Sequence, residues 1–108
     1  MARSYAALKR RGEFLAVRKR GKAKARPTML VYRLPAPGQA QARAGITVDT
    51  RIGKAVVRNM VRRRIAAALQ ELLAGHTGER LLVVARPAAA AANFHVLRSD
   101  LRSALEAA

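Results

Sequence analysis

The stretch AGITVDTRIGKAVVRNMVRRRI, residues 44–65, changes its hydrophobic pattern partway along. Its first part alternates, with Ala44, Ile46 and Val48 on one side, which is the two-residue period of a β-strand. From about residue 53 to residue 73 the apolar positions follow the helical period and form one stripe: Val57, Val61, Ile65, Ala68 and Leu72. The stretch therefore predicts a strand that runs through a short turn into a long amphipathic helix.

The segments on either side extend this architecture. Residues 13–20 predict a short first helix that stops at Gly21, and residues 27–34 alternate like a strand. Because only a short connection separates that strand from the one in residues 42–48, the two are expected to form an antiparallel pair. Residues 80–87, RLLVVARP, form a near-continuous apolar run, which is typical of a strand buried on both faces.

The last segment predicts a helix with a capped start. Asn93 is a suitable N-cap, and an inward face follows it at helical spacing: Phe94, Leu97, Leu101 and Leu105. With 108 residues, of which 51% are apolar, the chain has enough material for one core and not for two. The residues alone thus predict a single α+β domain with helices packed on a small sheet.

The net charge of the chain limits the classes of partner that it can bind. The chain has 22 Lys and Arg against 6 Asp and Glu, a formal net charge of +16, and the basic residues are interleaved with apolar ones throughout. A nucleic acid supplies continuous negative charge and ranks ahead of an acidic protein or an anionic membrane. The sequence has no cysteine, no apolar run of the roughly 20 residues that a membrane span needs, and no secretory-signal pattern. A cytoplasmic protein is expected.

Basic residues crowd the first half of the long helix and the turn before it. The group comprises Arg51, Lys54, Arg58, Asn59, Arg62, Arg63 and Arg64. Arg58 and Arg62 are four residues apart and point the same way. An ordinary solvated surface is the simplest explanation, but no acidic residue between Asp49 and Glu71 offsets the repulsion among these cations. Arginine also suits phosphate, because its planar fork binds two oxygens at once.

Residues for protein-borne catalysis are scarce. His76 and His95 have no carboxylate or cysteine at metal-ligand spacing, and Asp49 is better explained as a turn cap than as a metal ligand. No glycine-rich phosphate loop or nucleophile motif is present. Composition alone leaves open a ribosomal protein, which typically carries long basic extensions, and a module for double-stranded RNA or DNA, which needs a groove-reading element.

Three segments match one family in the right order: LKRRGEFLAVRKRGK (residues 8–22), the stretch quoted above, and LLVVARPAAAAANF (residues 81–94). Together they resemble the protein component of bacterial ribonuclease P. The resemblance implies an α-β-β-β-α-β-α order with a short strand near residues 23–25, a four-stranded sheet and a left-handed crossover, as in the second domain of ribosomal protein S5. Residues 1–108 are then one RNA-binding domain, of which residues 1–12 are expected to be a flexible basic segment.

The resemblance also implies a function. Proteins of this family are the small subunit of a ribonucleoprotein that removes the 5′ leader from precursor tRNA, and the RNA subunit performs the hydrolysis with Mg²⁺. The implied partners are the ribonuclease P RNA and precursor tRNA, with no membrane and no small-molecule substrate. The protein itself is expected to supply neither a catalytic residue nor a metal site.

The family's binding residues carry over position by position. The basic group of the long helix, listed above, matches the site for the RNA subunit, although Met60 and Ala66 stand where relatives often have arginine. Arg64 is expected to compensate for them. The leader site takes in Phe14, Arg18 and Tyr32. An aromatic side chain that stacks on an unpaired base contributes about 1 to 3 kcal/mol, but core packing explains Phe14 equally well.

Overall fold

Short strands alternate with three helices along residues 3–107, the part of the chain that the computed structural model describes. In chain order the elements are β1 Ala6–Ala7, α1 Arg11–Arg20, β2 Lys22–Ala25, β3 Met29–Pro35, β4 Arg43–Thr47, α2 Ala55–Leu72, β5 Glu79–Ala85 and α3 Phe94–Glu106. Short 3₁₀ turns, Thr50–Ile52 and Pro87–Ala91, precede α2 and α3. The predicted α-β-β-β-α-β-α order is confirmed from α1 to α3, with β1 as an additional strand before it, and the short strand expected near residues 23–25 is β2.

The strands form one mixed sheet in the order β1-β4-β5-β3-β2. β5 pairs parallel to β4 and antiparallel to β3, so the predicted antiparallel pair between residues 27–34 and 42–48 is wrong. The reason is that β5 carries apolar side chains on both faces and takes the central position, where both faces are covered. The α2 segment connects the parallel strands β4 and β5, and the left-handed sense of this crossover remains a prediction.

Each face of the sheet packs against different helices. Met29 and Val31 of β3 lie with Leu81 and Val83 of β5 in the main core, beneath α2 and α3. The side chains that alternate with them face α1 and pack with residues of α1 and with Leu8 in a smaller cluster. This α1 cluster consists of Leu8, Phe14, Val17, Tyr32, Leu34, Leu82 and Val84. The two-sided burial predicted for residues 80–87 is confirmed.

The amino-terminal segment packs against the domain. Tyr5 and Leu8 are buried, and β1 between them pairs parallel to β4. The Ser4 backbone N–H donates to the Gln70 side chain at 2.9 Å, which ties the segment to α2. Residues 1 and 2 lie outside the described range. Residues 4–8 are therefore packed, whereas residues 1–12 were expected to be flexible. The sheet has five strands and not the expected four, because β1 adds a strand.

Local interactions fix the ends of the helices. The Gly21 N–H donates to the Val17 carbonyl at 2.8 Å, and a side chain at Gly21 would collide with that carbonyl oxygen, so the predicted stop of α1 is confirmed. Asn93 caps α3 as predicted, by accepting the N–H three residues on at 3.0 Å. The Asp100 carboxylate accepts from the buried Thr28, at 3.1 Å from the backbone N–H and 2.6 Å from the hydroxyl, and thereby joins α3 to the start of β3.

Candidate nucleic-acid interface

One side of α2 is basic over its first half. This α2 basic face is made up of Lys54, Arg58, Asn59, Arg62 and Arg63. Arg58 is half-buried, while the other four are exposed. The Arg62 guanidinium donates to the Ile46 carbonyl at 3.1 Å, which lays the side chain along the end of β4. No ion pair joins any cation of this face to another residue in the range 3–107. Their charge is therefore available to an anionic partner.

Asp49 organises the turn that leads into α2. Its carboxylate accepts the Arg51 backbone N–H at 3.0 Å and pairs with the Arg51 guanidinium at 2.8 Å, which confirms the predicted turn cap. Hydrogen bonds from the Arg51 side chain and backbone hold the pKa of Asp49 below its ordinary value, and the nearby charge of Arg58 adds to this effect. The Arg51 side chain is still 77% exposed, so it projects beside the α2 basic face.

Arg64 lies apart from that face. It is half-buried, and its guanidinium donates to the Ala92 carbonyl at 2.8 Å, in the loop before α3. This side chain thus ties α2 to the approach of α3. Its expected compensation for Met60 and Ala66 stays a prediction, since an RNA contact would have to be shared with this internal hydrogen bond.

A cleft of about 300 Å³ separates α1 from α2 at the β4 side of the sheet. Its lining brings Phe14 of α1 together with Arg62 and Arg63 of α2, and Ala66 closes the α2 side with a minimal side chain. The Phe14 ring lies directly over Gly45 of β4, where an added Cβ atom would sit 2.5 Å from the ring. This Phe14 cleft therefore depends on glycine at one strand position.

Glu13 holds α1 in place beside this cleft. Its carboxylate accepts the backbone N–H groups of Lys9 and Arg10, at 3.3 and 3.2 Å, and pairs with Arg43 of β4 at 3.0 Å. Burial raises the pKa of Glu13, but these hydrogen bonds and the Arg43 charge outweigh burial and leave the pKa below its ordinary value. The first turn of α1, with Phe14 next in sequence, is thus fastened to β4.

A second groove, of about 480 Å³, opens where α1 stops covering the sheet. Leu30 of β3 and Val84 of β5 contribute apolar surface, and three arginines line it: Arg18, Arg51 and Arg86. We call it the Arg18 groove. Leu30, Val84 and Arg86 were missed by sequence reasoning, although Leu30 shares the alternating face of β3 with Tyr32. The arginines of this groove suit the charged backbone of a single-stranded nucleic acid, and the apolar surface offers a place for an exposed base face.

Tyr32 lines neither opening. It is half-buried and packs in the α1 cluster against the buried Val17 and Leu82. The structure therefore mixes the two predicted residue sets: Phe14 shares a cleft with Arg62 and Arg63, and Arg18 shares a groove with Arg51. The leader and RNA-subunit sets adjoin one another around α1, α2 and the sheet between them.

Within residues 3–107, no three His, Asp or Glu side chains are grouped so that they can hold a metal ion. His95 makes an edge contact with the Phe94 ring, with 5.8 Å between ring centroids, and Phe94 packs at the border of the main core. In the same range, no helix combines the length and the apolar character needed to cross a bilayer.

Known proteins with similar sequences share one family. A model of the Ribonuclease P family matches residues 2–108. The ribonuclease P protein component of Shouchella clausii is 35% identical over 102 residues, covering 94% of this chain and 84% of the relative. That of Ligilactobacillus salivarius is 37% identical over 109 residues, covering 100% of this chain and 96% of the relative.

Solved structures show the same fold. The RNase P protein of Staphylococcus aureus superposes with a TM-score of 0.84 at 24% identity, covering 93% of this chain and 92% of that one. The RNase P protein of Thermotoga maritima, solved with 1-(4-fluorophenyl)-2-thiourea, gives 0.81 at 24% identity, covering 94% and 98%. The small α+β domain with its mixed sheet is thus the family's fold, and the chain belongs to the Ribonuclease P family of bacterial protein components.

Proposed function

We propose that this chain binds the RNA subunit of ribonuclease P through the α2 basic face and Arg51, and the 5′ leader of precursor tRNA through the Phe14 cleft and the Arg18 groove. The observation that carries the proposal is the arrangement of exposed arginines around two openings that contain apolar surface. Such a surface suits one partner rich in phosphate and another with unstacked bases.

The α2 basic face has the chemistry of a phosphate-binding surface. Its arginines carry forks that bind two phosphate oxygens at once, and no carboxylate of residues 3–107 pairs with them. Asp49 neutralises part of the charge of Arg51 and holds it at the edge of this surface. We therefore assign Arg51, Arg58, Arg62 and Arg63 to phosphate contacts, with Lys54 as a less directional cation.

The two openings beside α1 suit a single strand. An unpaired base stacks on an aromatic side chain whatever its identity, while cations hold the backbone. In the Phe14 cleft the ring of Phe14 is the stacking surface, with Arg62 and Arg63 beside it. In the Arg18 groove Leu30 and Val84 offer apolar surface against which a base can pack, with arginines around them. A leader that crosses α1 between the openings would contact both.

The division of labour follows the family. The RNA subunit carries out the Mg²⁺-dependent hydrolysis, and the protein contributes binding and orientation, in the bacterial cytoplasm. The test adds the protein to a bacterial-type catalytic RNA and a precursor tRNA at low Mg²⁺ concentration. Cleavage at the mature 5′ end should be restored by the protein and lost with either macromolecule alone. Failure to restore cleavage with a folded protein and an active RNA would overturn the proposal.

The leader contact has its own test. Phe14→Ala should weaken the affinity of the holoenzyme for precursor tRNA by something on the order of 1 kcal/mol, because a stacking surface is lost, and leave the affinity for mature tRNA unchanged. Tyr32→Ala tests the predicted leader contact of Tyr32, which lines neither opening: a loss confined to precursor tRNA would support that contact, and an unchanged affinity would refute it. Leu15→Ala is the matched control, since Leu15 is exposed on α1 and lines neither opening. Equal losses for both tRNAs, with folding verified by circular dichroism, would assign the ring to the α1 cluster alone.

A further inference from the structure

We propose that the chain has a third RNA-binding surface, a phosphate-binding groove between the edge strand β2 and the end of α3. This β2 groove, of about 270 Å³, is lined by five charged residues, Arg20, Lys22, Lys24, Arg33 and Glu79, together with Pro35 and Ala107. The inference takes the nature of its partner from the proposed function, and it adds a contact that the α2 basic face and the leader openings do not include.

Strand register places the groove on the opposite face of the sheet from α1. Lys22 pairs with Arg33, and Lys24 pairs with Val31. Val31 is fully buried under α2 and α3, so both lysines point to that side of the sheet. Phe14 and Tyr32 belong to the other face. An RNA segment in the β2 groove is therefore separated by the sheet from a strand in the leader openings.

Arg33 and Glu79 form a fixed wall of the groove. The Arg33 Nε and Nη2 atoms both donate to Glu79 Oε2, at 2.9 and 2.8 Å, and Nη1 donates to the Leu105 carbonyl at 2.7 Å. The pair compensates its own charges and holds the last turn of α3 against β3. Neither Lys22 nor Lys24 has an ion pair within the described range, and the same is true of Arg20.

Edge protection is the simpler explanation for the lysines, because charged residues on an edge strand prevent pairing with a second sheet. It accounts for Lys22 and Lys24, since β2 is an outer strand. It does not account for the convergence of Arg20, from the end of α1, on the same groove. Three unpaired cations around one concave surface repel one another, and an RNA phosphate relieves that repulsion.

A tethered-cleavage experiment tests the location. Because the chain has no cysteine, a single introduced cysteine can carry an iron chelate that cleaves nearby RNA. The probe is attached to Lys22→Cys for the β2 groove, to Arg63→Cys for the α2 basic face and to Ser99→Cys as an exposed control on α3. In the assembled holoenzyme with precursor tRNA, we expect Lys22→Cys to cut an RNA segment different from that cut by Arg63→Cys, and Ser99→Cys to cut little.

The outcomes separate this inference from the proposed function. Cutting from Arg63→Cys without cutting from Lys22→Cys would refute the β2 groove and leave the proposed function intact. Cutting of the same segment by both would also refute a separate surface. No cutting from either position, in a complex shown to form, would remove the proposed function together with the inference.

A charge-matched comparison tests the energetics. Lys22→Gln/Lys24→Gln and the control Arg11→Gln/Lys19→Gln both remove two charges, and neither control residue lines the β2 groove or the leader openings. The log-log slope of RNA affinity against salt should become shallower by about 1 to 2 for the first variant, since each phosphate contact contributes about 0.7 to 0.9. An equal change in both variants would show a general charge effect and refute the groove.

Discussion

The contact between Phe14 and Gly45 makes a sharp prediction about packing. An added Cβ at position 45 would lie 2.5 Å from Phe14 Cε1 and 3.1 Å from Leu8 Cδ1. Gly45→Ala therefore forces the ring out of its place, and overpacking of this kind costs about 1 to 3 kcal/mol. The substitution also reduces the conformational entropy of the unfolded chain, which contributes about 0.4 to 1 kcal/mol of stability. The net result of these two terms is a loss of up to about 2.6 kcal/mol.

The same substitution should behave differently once the ring is removed. In a Phe14→Ala background the collision with the ring is absent, so Gly45→Ala should be neutral or stabilising by up to about 1 kcal/mol. The coupling between the two positions is then about 1 to 3 kcal/mol, which a double-mutant cycle resolves. Urea denaturation followed by circular dichroism measures all four proteins, provided that each unfolds in one cooperative transition. Equal costs of Gly45→Ala in both backgrounds would refute the placement of the ring over β4.

Three further predictions concern other contacts. Arg58→Ala and Arg62→Ala should each weaken RNA-subunit binding and reduce the log-log slope of affinity against salt by about 0.7 to 0.9, with little change in the thermal midpoint of unfolding. If a variant unfolds and the slope is unchanged, the arginine stabilises the fold and does not contact RNA. Asp100→Ala should cost about 1 to 3 kcal/mol of unfolding free energy, because it leaves the buried Thr28 hydroxyl and N–H without their acceptor, and a cost near zero would contradict that contact. The pKa of Glu13 is lowered in the folded state, so its contribution to the free energy of unfolding should be complete above the unfolded pKa of about 4.3 and should disappear as the pH falls through the folded pKa. Glu13→Gln should therefore reduce the loss of unfolding free energy at acid pH, as measured by urea denaturation.

Local pattern predicted the elements well because the signals for them are short-range. The apolar stripe of α2, the Asn93 cap and the two-sided burial of β5 all follow from residues within one segment. Strand pairing was predicted less well, because it depends on which strand needs two covered faces. β1 consists of Ala6–Ala7 only, which has no strand pattern of its own; the buried Tyr5 and Leu8 around it were the available signal.

The sequence predicted many of the residues of the candidate site but not how they are arranged in space. Position-by-position resemblance supplied Phe14, Arg18 and the arginines of α2, but it could not show that Phe14 shares a cleft with arginines of the long helix. The apolar surface of the Arg18 groove was not predicted, because Leu30 and Val84 have the sequence pattern of ordinary core residues. Arg64 looked like its neighbours, and only the tertiary structure reveals its hydrogen bond to the loop before α3.

The central position of β5 has a consequence for biosynthesis. Residues 79–85 leave the ribosome after six of the eight principal elements, yet they carry the pairings with both β3 and β4. Until they emerge, the pairings open to the nascent chain are the four-residue β2–β3 ladder and the two-residue β1–β4 ladder. Because β5 contributes residues to both cores, neither core can close before residues 79–85 emerge, and the strongly basic nascent chain lacks its complete tertiary structure for most of its synthesis.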